Sequence, residues 1–465
     1  MDAAQAFKTM IRPGSVAVVG ASADPASPGG AMFARLARLK VPVWPVNPRG
    51  GRVGGTRCFE SLDELPAVPE LAVIATRADR VAPVLDRCGR AGVKVALSIA
   101  GGFGEVGGEG RELERELAGI VARTGIRLLG PNTLGVVAPH TGLDTVFVRH
   151  EPSVFGNPGE ISMVTQSGSV GVEALGMLGG TGVGIRTFLG LGNQVDLDVT
   201  DALTFLCEDE GTRVVALYLE SIPDGRTLMD AVRRLTRSGR PVVILKVGRT
   251  ERGSRAARSH TGRLAGSAAV TRAALLQAGA VLVGDDEELL DVSRALAFCP
   301  PSEGRSVAVV SAAGGYAVLG TDLVLESPVR ARMGMADLSA RTRAALARAV
   351  PSYGSVENPI DMTGVAHDEM YERVVDVLVE APEVDALLCF LSWGPHGLSE
   401  RTVDTLARAA HGDKPVVVNA MGGPETDRLV AELTVRRVAA FPSMGRAVAA
   451  LGGVAAWGRI LPRRP

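Results

Sequence analysis

Cysteine is scarce in this sequence, and its pattern excludes two structural classes. The five cysteines (Cys58, Cys88, Cys207, Cys299, Cys389) are odd in number, widely spaced and never arranged as CxxC. Neither a disulfide framework nor a structural zinc site fits that pattern. Excess charge is missing too: 50 Lys+Arg face 51 Asp+Glu, so no basic surface for nucleic acid is implied. Long apolar runs are absent. An uncharged stretch such as Leu128–Leu143 is interrupted by Pro131 and Pro139, and it falls short of the roughly 18–20 residues of a membrane helix. The N-terminal MDAAQAFKTMIRPGS has no apolar core for a secretory signal. No P-loop, GxxxxGK[ST], occurs. A cytoplasmic enzyme or binding protein without membrane or nucleic-acid partners is the expectation.

Glycine, by contrast, is plentiful. The 57 glycines among 465 residues are scattered rather than periodic, which excludes collagen and points to many tight turns. The length predicts about three domains at roughly 100–200 residues each. Short Val/Ile/Leu/Ala runs alternate with longer charged stretches throughout. Strands are expected at Val16–Gly20, Val43–Val46, Leu71–Ala75, Val95–Ile99 and Arg127–Leu129, with helices over Val81–Ala91 and Gly110–Arg123. Val137–Pro158 lacks a clear period and reads as a linker. A second series follows at Ile161–Val164, Ile185–Phe188, Val214–Leu219, Val242–Lys246 and Ala280–Val283. After the Pro-rich break Cys299–Gly304 comes a third, at Val307–Ser311, Ala386–Phe390, Pro415–Asn419 and Val438–Ala440. Consecutive apolar positions suit strands buried on both faces of parallel sheets. The fold class is therefore α/β, with three consecutive doubly wound domains.

Ligands of such sheets bind at the carboxyl ends of strands, where glycine turns let backbone N–H groups approach phosphate. After the first strand stand Gly20, Ala21 and Ser22, without the GxGxxG of a dinucleotide site. That gap disfavours a nicotinamide-dependent oxidoreductase. Asn47 and Pro48 end the second strand where a ribose-binding acid often sits. Two further turns resemble each other: Thr165-Gln166-Ser167-Gly168-Ser169 opens the second domain, and Ser311-Ala312-Ala313-Gly314-Gly315 the third. Each is expected to open a helix whose free N–H groups and positive dipole end face the ligand. The segment Ser259-His260-Thr261-Gly262-Arg263-Leu264-Ala265-Gly266-Ser267 holds one histidine among hydroxyls. Histidine can attack phosphorus when an acceptor holds its other ring nitrogen, and Glu220, ending Leu217-Tyr218-Leu219-Glu220, offers that acceptor.

These residues resemble those of the nucleoside-diphosphate-forming acyl-CoA synthetases, and more distantly the α subunit of succinyl-CoA synthetase. The resemblance rests on SVAVVGAS (Ser15–Ser22), PVNP (Pro45–Pro48), GGFGE (Gly101–Glu105), GPNTLG (Gly130–Gly135) and QSGS (Gln166–Ser169). It continues through Gly192-Asn193, YLE (Tyr218–Glu220), KVG (Lys246–Gly248), SHTG (Ser259–Gly262), LAGS (Leu264–Ser267) and NPID (Asn358–Asp361). It implies a Rossmann-like CoA-binding domain over residues 1–140, a ligase domain over 155–298 and a second flavodoxin-like ligase domain over 304–465. His260 would be phosphorylated and Glu220 would fix its tautomer. Gln166, Ser167, Gly168 and Ser169 would bind phosphate, as would Gly314 and Gly315. Gly20, Ala21, Ser22, Asn47, Pro48 and Asn132 would contact coenzyme A. Pro25–Gly30 departs from the family pattern near the expected CoA phosphates, and Ala312-Ala313 stand where a polar residue is common.

The resemblance further implies an ATP-grasp module that binds ADP or ATP with Mg²⁺. Its absence from this chain implies a separate β-type subunit, and a hetero-oligomer or a homodimer is the expected assembly. No metal site is expected on the chain itself. An alternative of another class is a non-catalytic regulator that binds CoA or acyl-CoA on the same scaffold. Retention of His260, Glu220 and both glycine turns argues against it.

Overall fold

A computed structural model describes residues 1–148, 157–180, 183–253, 255, 267–326, 333–392, 397–421, 423 and 425–461. The chain separates into two compact units, Met1–Gly179 with Gly184–Ala280, and Gly180–Val183 with Val281–Pro465.

The first unit contains two sheets, of which the first is wholly parallel. Strands β1 (Val16–Val19) and β2 (Val43–Val46) are followed by a small hairpin, β3 (Arg52–Val53) and β4 (Thr56–Arg57). Then come β5 (Leu71–Ile74), β6 (Val95–Ser98) and β7 (Arg127–Leu129). The sheet order is β2-β1-β5-β6-β7, and the pairs are parallel. Strands β1, β5 and β6 are buried at every position, which is why their sequences carry no polar alternation. Helices Ala78–Ala91 and Gly108–Thr124 cover one face. Their Val81, Leu85, Leu117 and Ile120 pack with Ala72, Ile74 and Leu128 in one cluster. Each such aliphatic burial contributes about 1.5–3 kcal/mol.

The stretch expected to be a linker instead forms β8 (Val136–Ala138) and β9 (Leu143–Asp144). They extend the second sheet, with β8 antiparallel to β11. Strands this short give no readable period, so tertiary pairing decides them. The other members are β10 (Pro158–Thr165), β11 (Ile185–Gly190), β12 (Val214–Leu219) and β13 (Val242–Lys246). They run in the order β13-β12-β10-β11-β8-β9. The two sheets share a unit because helix Ala3–Ile11, which the sequence reading had not assigned, docks on helix Val199–Glu208. Phe7 stacks on Phe205 at 5.6 Å, and Lys8 pairs with Glu208 at 2.7 Å.

A second seam lies along the open edge of β7. The side chain of Arg127 pairs with Asp196 at 2.9 Å, and the Asp196 carboxylate also accepts from Leu128 N–H at 2.8 Å. Backbone bonds from Asn193 N to Pro131 O, Val195 N to Gly130 O and Leu197 N to Leu128 O fix residues 193–197 beside the strand.

The second unit begins with β14 (Val281–Leu282) and helix Asp286–Phe298. Its sheet contains β15 (Val307–Ser311), β16 (Ile360–Asp361), β17 (Ala386–Ser392), β18 (Val416–Met421) and β19 (Ala439–Phe441), in the parallel order β16-β15-β17-β18-β19. Helix Asp286–Phe298 is tied to helix Met444–Ile460 by a two-pronged contact from Arg446 to Asp291, at 2.7 and 2.9 Å. Arg294 is buried beside them, and its guanidinium lies 4.4 Å from the Phe441 ring centre.

Candidate functional site

Two strand-end regions of the first unit carry the sequence motifs. The first follows β1. Gly20 has φ +92, and a Cβ there would lie 2.3 Å from Ala75 O, so only glycine allows this turn. Asn47 donates through Nδ2 to Ala21 O at 2.8 Å and accepts from Arg49 N–H at 3.0 Å. The ends of β1 and β2 are thereby joined, and Gly20, Ala21, Ser22, Asn47 and Pro48 come together. The unusual Pro25–Gly30 tract is a helix start. Ser27 accepts from Gly30 N–H, Pro28 takes the first helical position of Pro28–Leu36, and Asp24 accepts from Ala26 N–H. A Cβ on Gly29 would lie 2.1 Å from Gly20 O. Two glycines therefore let the helix start press against the β1 turn, leaving backbone N–H groups at its N-terminus, as anion sites require.

Asn132 lies elsewhere. It follows β7, three strands from β1, and so about 14 Å away at ordinary strand spacing. There it lines a cavity of about 460 Å³ together with Gly104, Glu105, Arg111, Glu114, Thr133, Leu134, Phe147 and Val148. Gln166, Ser167, Gly168, Ser169, Val172, Gly192, Asn193, Gln194, Glu220 and Ser221 complete the lining. The strand-to-helix turn after β10 forms one wall. Thr165 Oγ1 accepts from Ser167 N–H at 3.1 Å and donates to Ser167 O at 2.8 Å, which turns the chain into helix Gly168–Gly180. That helix directs its N–H groups and positive dipole end at the cavity. Ser167 and Ser169 hydroxyls lie 3.2 Å apart at its mouth.

Glu220 enters from the end of β12 and is 9% exposed. Its N–H donates to Gln166 Oε1 at 2.6 Å, and its carbonyl accepts from Lys246 Nζ at 2.9 Å. Burial holds the Lys246 ammonium below its ordinary pKa, opposed by the Glu220 charge.

The third wall was not foreseen as a unit. Asn193 Nδ2 donates to Glu105 Oε2 at 2.6 Å and to Glu114 Oε1 at 2.7 Å, while its Oδ1 accepts from Asn132 Nδ2 at 3.2 Å. Glu105 also accepts from Gly102 and Phe103 N–H, and Glu114 from Gly104 N–H. Burial pushes the Glu105 carboxyl up, but the bonds from Asn193, Gly102 and Phe103 outweigh it and hold the group below the usual carboxylate range. Glu114 carried no local signal, because its partner Asn193 is 79 positions distant.

The third-domain glycines belong to the second unit. Gly314 and Gly315 open helix Gly314–Glu326, and the turn repeats the earlier geometry: Ser311 Oγ accepts from Ala313 N–H at 3.0 Å and donates to Ala313 O at 2.7 Å. Ala312 and Ala313 contribute only backbone to this turn. Asn358 of NPID binds backbone along one edge of β15, accepting from Val309 N–H and donating to Val307 O and Ala336 O. His260 and the rest of its loop through Gly266 lie outside the described residues. Among the described residues no group of three His, Cys, Asp or Glu side chains is arranged to hold a metal, and no helix is long and apolar enough to cross a membrane.

Comparison with known proteins gives a consistent picture. Residues 14–139 match the CoA binding domain family, residues 158–296 the succinyl-CoA ligase like flavodoxin domain and residues 307–464 the ligase-CoA domain. The α subunit of acetate–CoA ligase [ADP-forming] I of Pyrococcus furiosus is 32% identical over 97% of this chain and 98% of its own length. The corresponding isoenzyme II subunit of that organism is 34% identical over 88% and 89%. Among solved structures, acetyl-coenzyme A synthetase 1 of Ca. Korarchaeum cryptofilum, determined with phosphate and ADP, superposes with TM-score 0.90. It is 33% identical, over 98% of both chains.

Proposed function

Since the chain belongs to the family of ADP-forming acetate–CoA ligase α subunits, we propose that it passes a phosphoryl group through His260 under the control of Glu220. The chain is an acid–thiol ligase subunit that interconverts acyl-CoA, phosphate and ADP with carboxylic acid, CoA and ATP. In the first step phosphate attacks the thioester carbonyl, giving acyl phosphate and releasing CoA. The acyl phosphate then transfers its phosphoryl group to an imidazole nitrogen of His260, releasing the carboxylate. Phosphohistidine finally delivers the group to ADP. A covalent phosphoenzyme lets two separated sites share one phosphoryl group.

One observation carries this reading: the helix N-terminus at Gly168 and Glu220 line the same cavity. The helix end supplies N–H donors and Ser167 and Ser169 hydroxyls for phosphate. Glu220 supplies an acceptor able to orient an imidazole. CoA would lie against the Gly20–Ser22 turn and Asn47, in the domain spanning residues 1–140. The ligase domains would span 155–298 and 304–465, in agreement with the extents of the three family matches. ADP and Mg²⁺ would be held by an ATP-grasp partner subunit, for which the α-subunit naming of the relatives is the support.

Incubation with ³²P-labelled acetyl phosphate tests the central claim. The parent is expected to acquire an acid-labile, base-stable label that His260→Ala abolishes. An equal label on His260→Ala would overturn it.

A further inference from the structure

We propose that Gln166 is a positioning residue that acts through Glu220, and not a ligand of the phosphate. The inference rests on the phosphohistidine reading above. A glutamine amide has two N–H donors and two acceptor lone pairs, and here all four are engaged. Oε1 accepts from the N–H groups of Glu220, at 2.6 Å, and Ser221, at 2.9 Å. Nε2 donates to Ser221 O at 2.9 Å and to Gln194 Oε1 at 3.4 Å. The amide orientation is fixed by these partners, since two backbone donors require the oxygen to face them. Nothing remains on the Gln166 side-chain amide to offer an oxyanion.

The placement explains what the four bonds achieve. Strand β12 lies between β10 and β13, and its ladder ends at Leu219. Gln166 stands one residue past β10, and Lys246 is the last residue of β13. Beyond the ladder, their side chains take over from backbone: Gln166 holds the N–H of Glu220, and Lys246 holds its carbonyl. The peptide that leaves the sheet is therefore pinned on both sides, and the Glu220 side chain starts from a fixed backbone at the cavity wall. Buried polar groups satisfied in this way rigidify the residue they surround. A carboxylate that must orient an imidazole needs that constancy, because displacement by about 1 Å costs up to about 100-fold in rate.

The test measures phosphorylation of the full chain by labelled acetyl phosphate in single-turnover experiments. Gln166→Leu is expected to lower the maximal rate about 10- to 100-fold, with the half-saturating acetyl phosphate concentration unchanged. In a Glu220→Gln background the same substitution is expected to change the rate by less than about 2-fold, because both changes act on one element. Gln166→Glu keeps the acceptor for the two N–H groups and is expected to restore part of the rate. It is also the variant to read if Gln166→Leu fails to melt cooperatively. An unchanged maximal rate with a half-saturating concentration raised tenfold would make Gln166 a phosphate ligand and overturn the inference. So would full additivity with Glu220→Gln. A parent that takes no label would instead remove the phosphohistidine reading, and this inference with it.

Discussion

Asn193 joins two carboxylates that would otherwise repel each other. Its amide gives one proton to Glu105 and the other to Glu114, and the depressed pKa of Glu105 records part of that gain. The sign of the pH effect follows. A carboxyl whose folded pKa lies below its unfolded value contributes stability above the unfolded pKa, and loses it as pH falls through the folded one. Asn193→Ala is therefore expected to cost about 1–3 kcal/mol at pH 7. The cost should shrink as pH falls through the depressed Glu105 pKa, below which the carboxyl is protonated in both states. Urea unfolding of parent and variant at pH 7 and in that acid range checks both magnitude and trend. None of this could be read from Glu105, Glu114 or Asn193 separately. GGFGE and Gly192-Asn193 stood out as motif fragments, but their contact is a property of residues 193–197 running beside β7.

At the level of elements, one strand-to-helix turn recurs. After β10 and after β15 a hydroxyl residue accepts the N–H and binds the carbonyl two positions on, then a glycine opens the helix. The likeness of the two turns was visible in sequence, because the local hydrogen-bonding that makes them needs only neighbouring residues. The turn after β1 is built differently, through glycines that bring helix Pro28–Leu36 against Gly20. Gly29→Ala places a methyl about 2.1 Å from Gly20 O. It is expected to destabilise the first unit by about 1–3 kcal/mol and to weaken CoA binding, measured by thermal unfolding and by calorimetric titration with CoA. Unchanged CoA affinity in a destabilised variant would separate packing from binding at this turn.

For the molecule as a whole, the family assignment implies a division of labour. With acetyl-CoA, phosphate and ADP, this chain alone is expected to form phosphoenzyme but no ATP, and ATP should appear on adding an ATP-grasp subunit. A coupled luciferase assay for ATP distinguishes the cases, and ATP from the chain alone would refute the proposed split. The two compact units also bear on how the domains arise. Helix Ala3–Ile11, β8 and β9 bind the first α/β layer to the second, so two sequence-level domains share one compact unit.

By itself the sequence determined the α/β class and most strand positions, because strands buried on both faces must be apolar at consecutive residues. Val43–Val46, Arg127–Leu129, Val214–Leu219, Val242–Lys246 and Val307–Ser311 have the bounds expected. It also determined the glycine turn after β1, where the positive φ of Gly20 and the close approach of Gly29 require glycine. Tertiary structure decided the rest. The edge strands β8 and β9 are too short to carry a period of their own, so pairing with β11 made them strands. The cavity draws Asn132 away from the Gly20 turn and toward Asn193, Gln166 and Glu220, since hydrogen bonds between residues tens of positions apart leave no mark on local sequence.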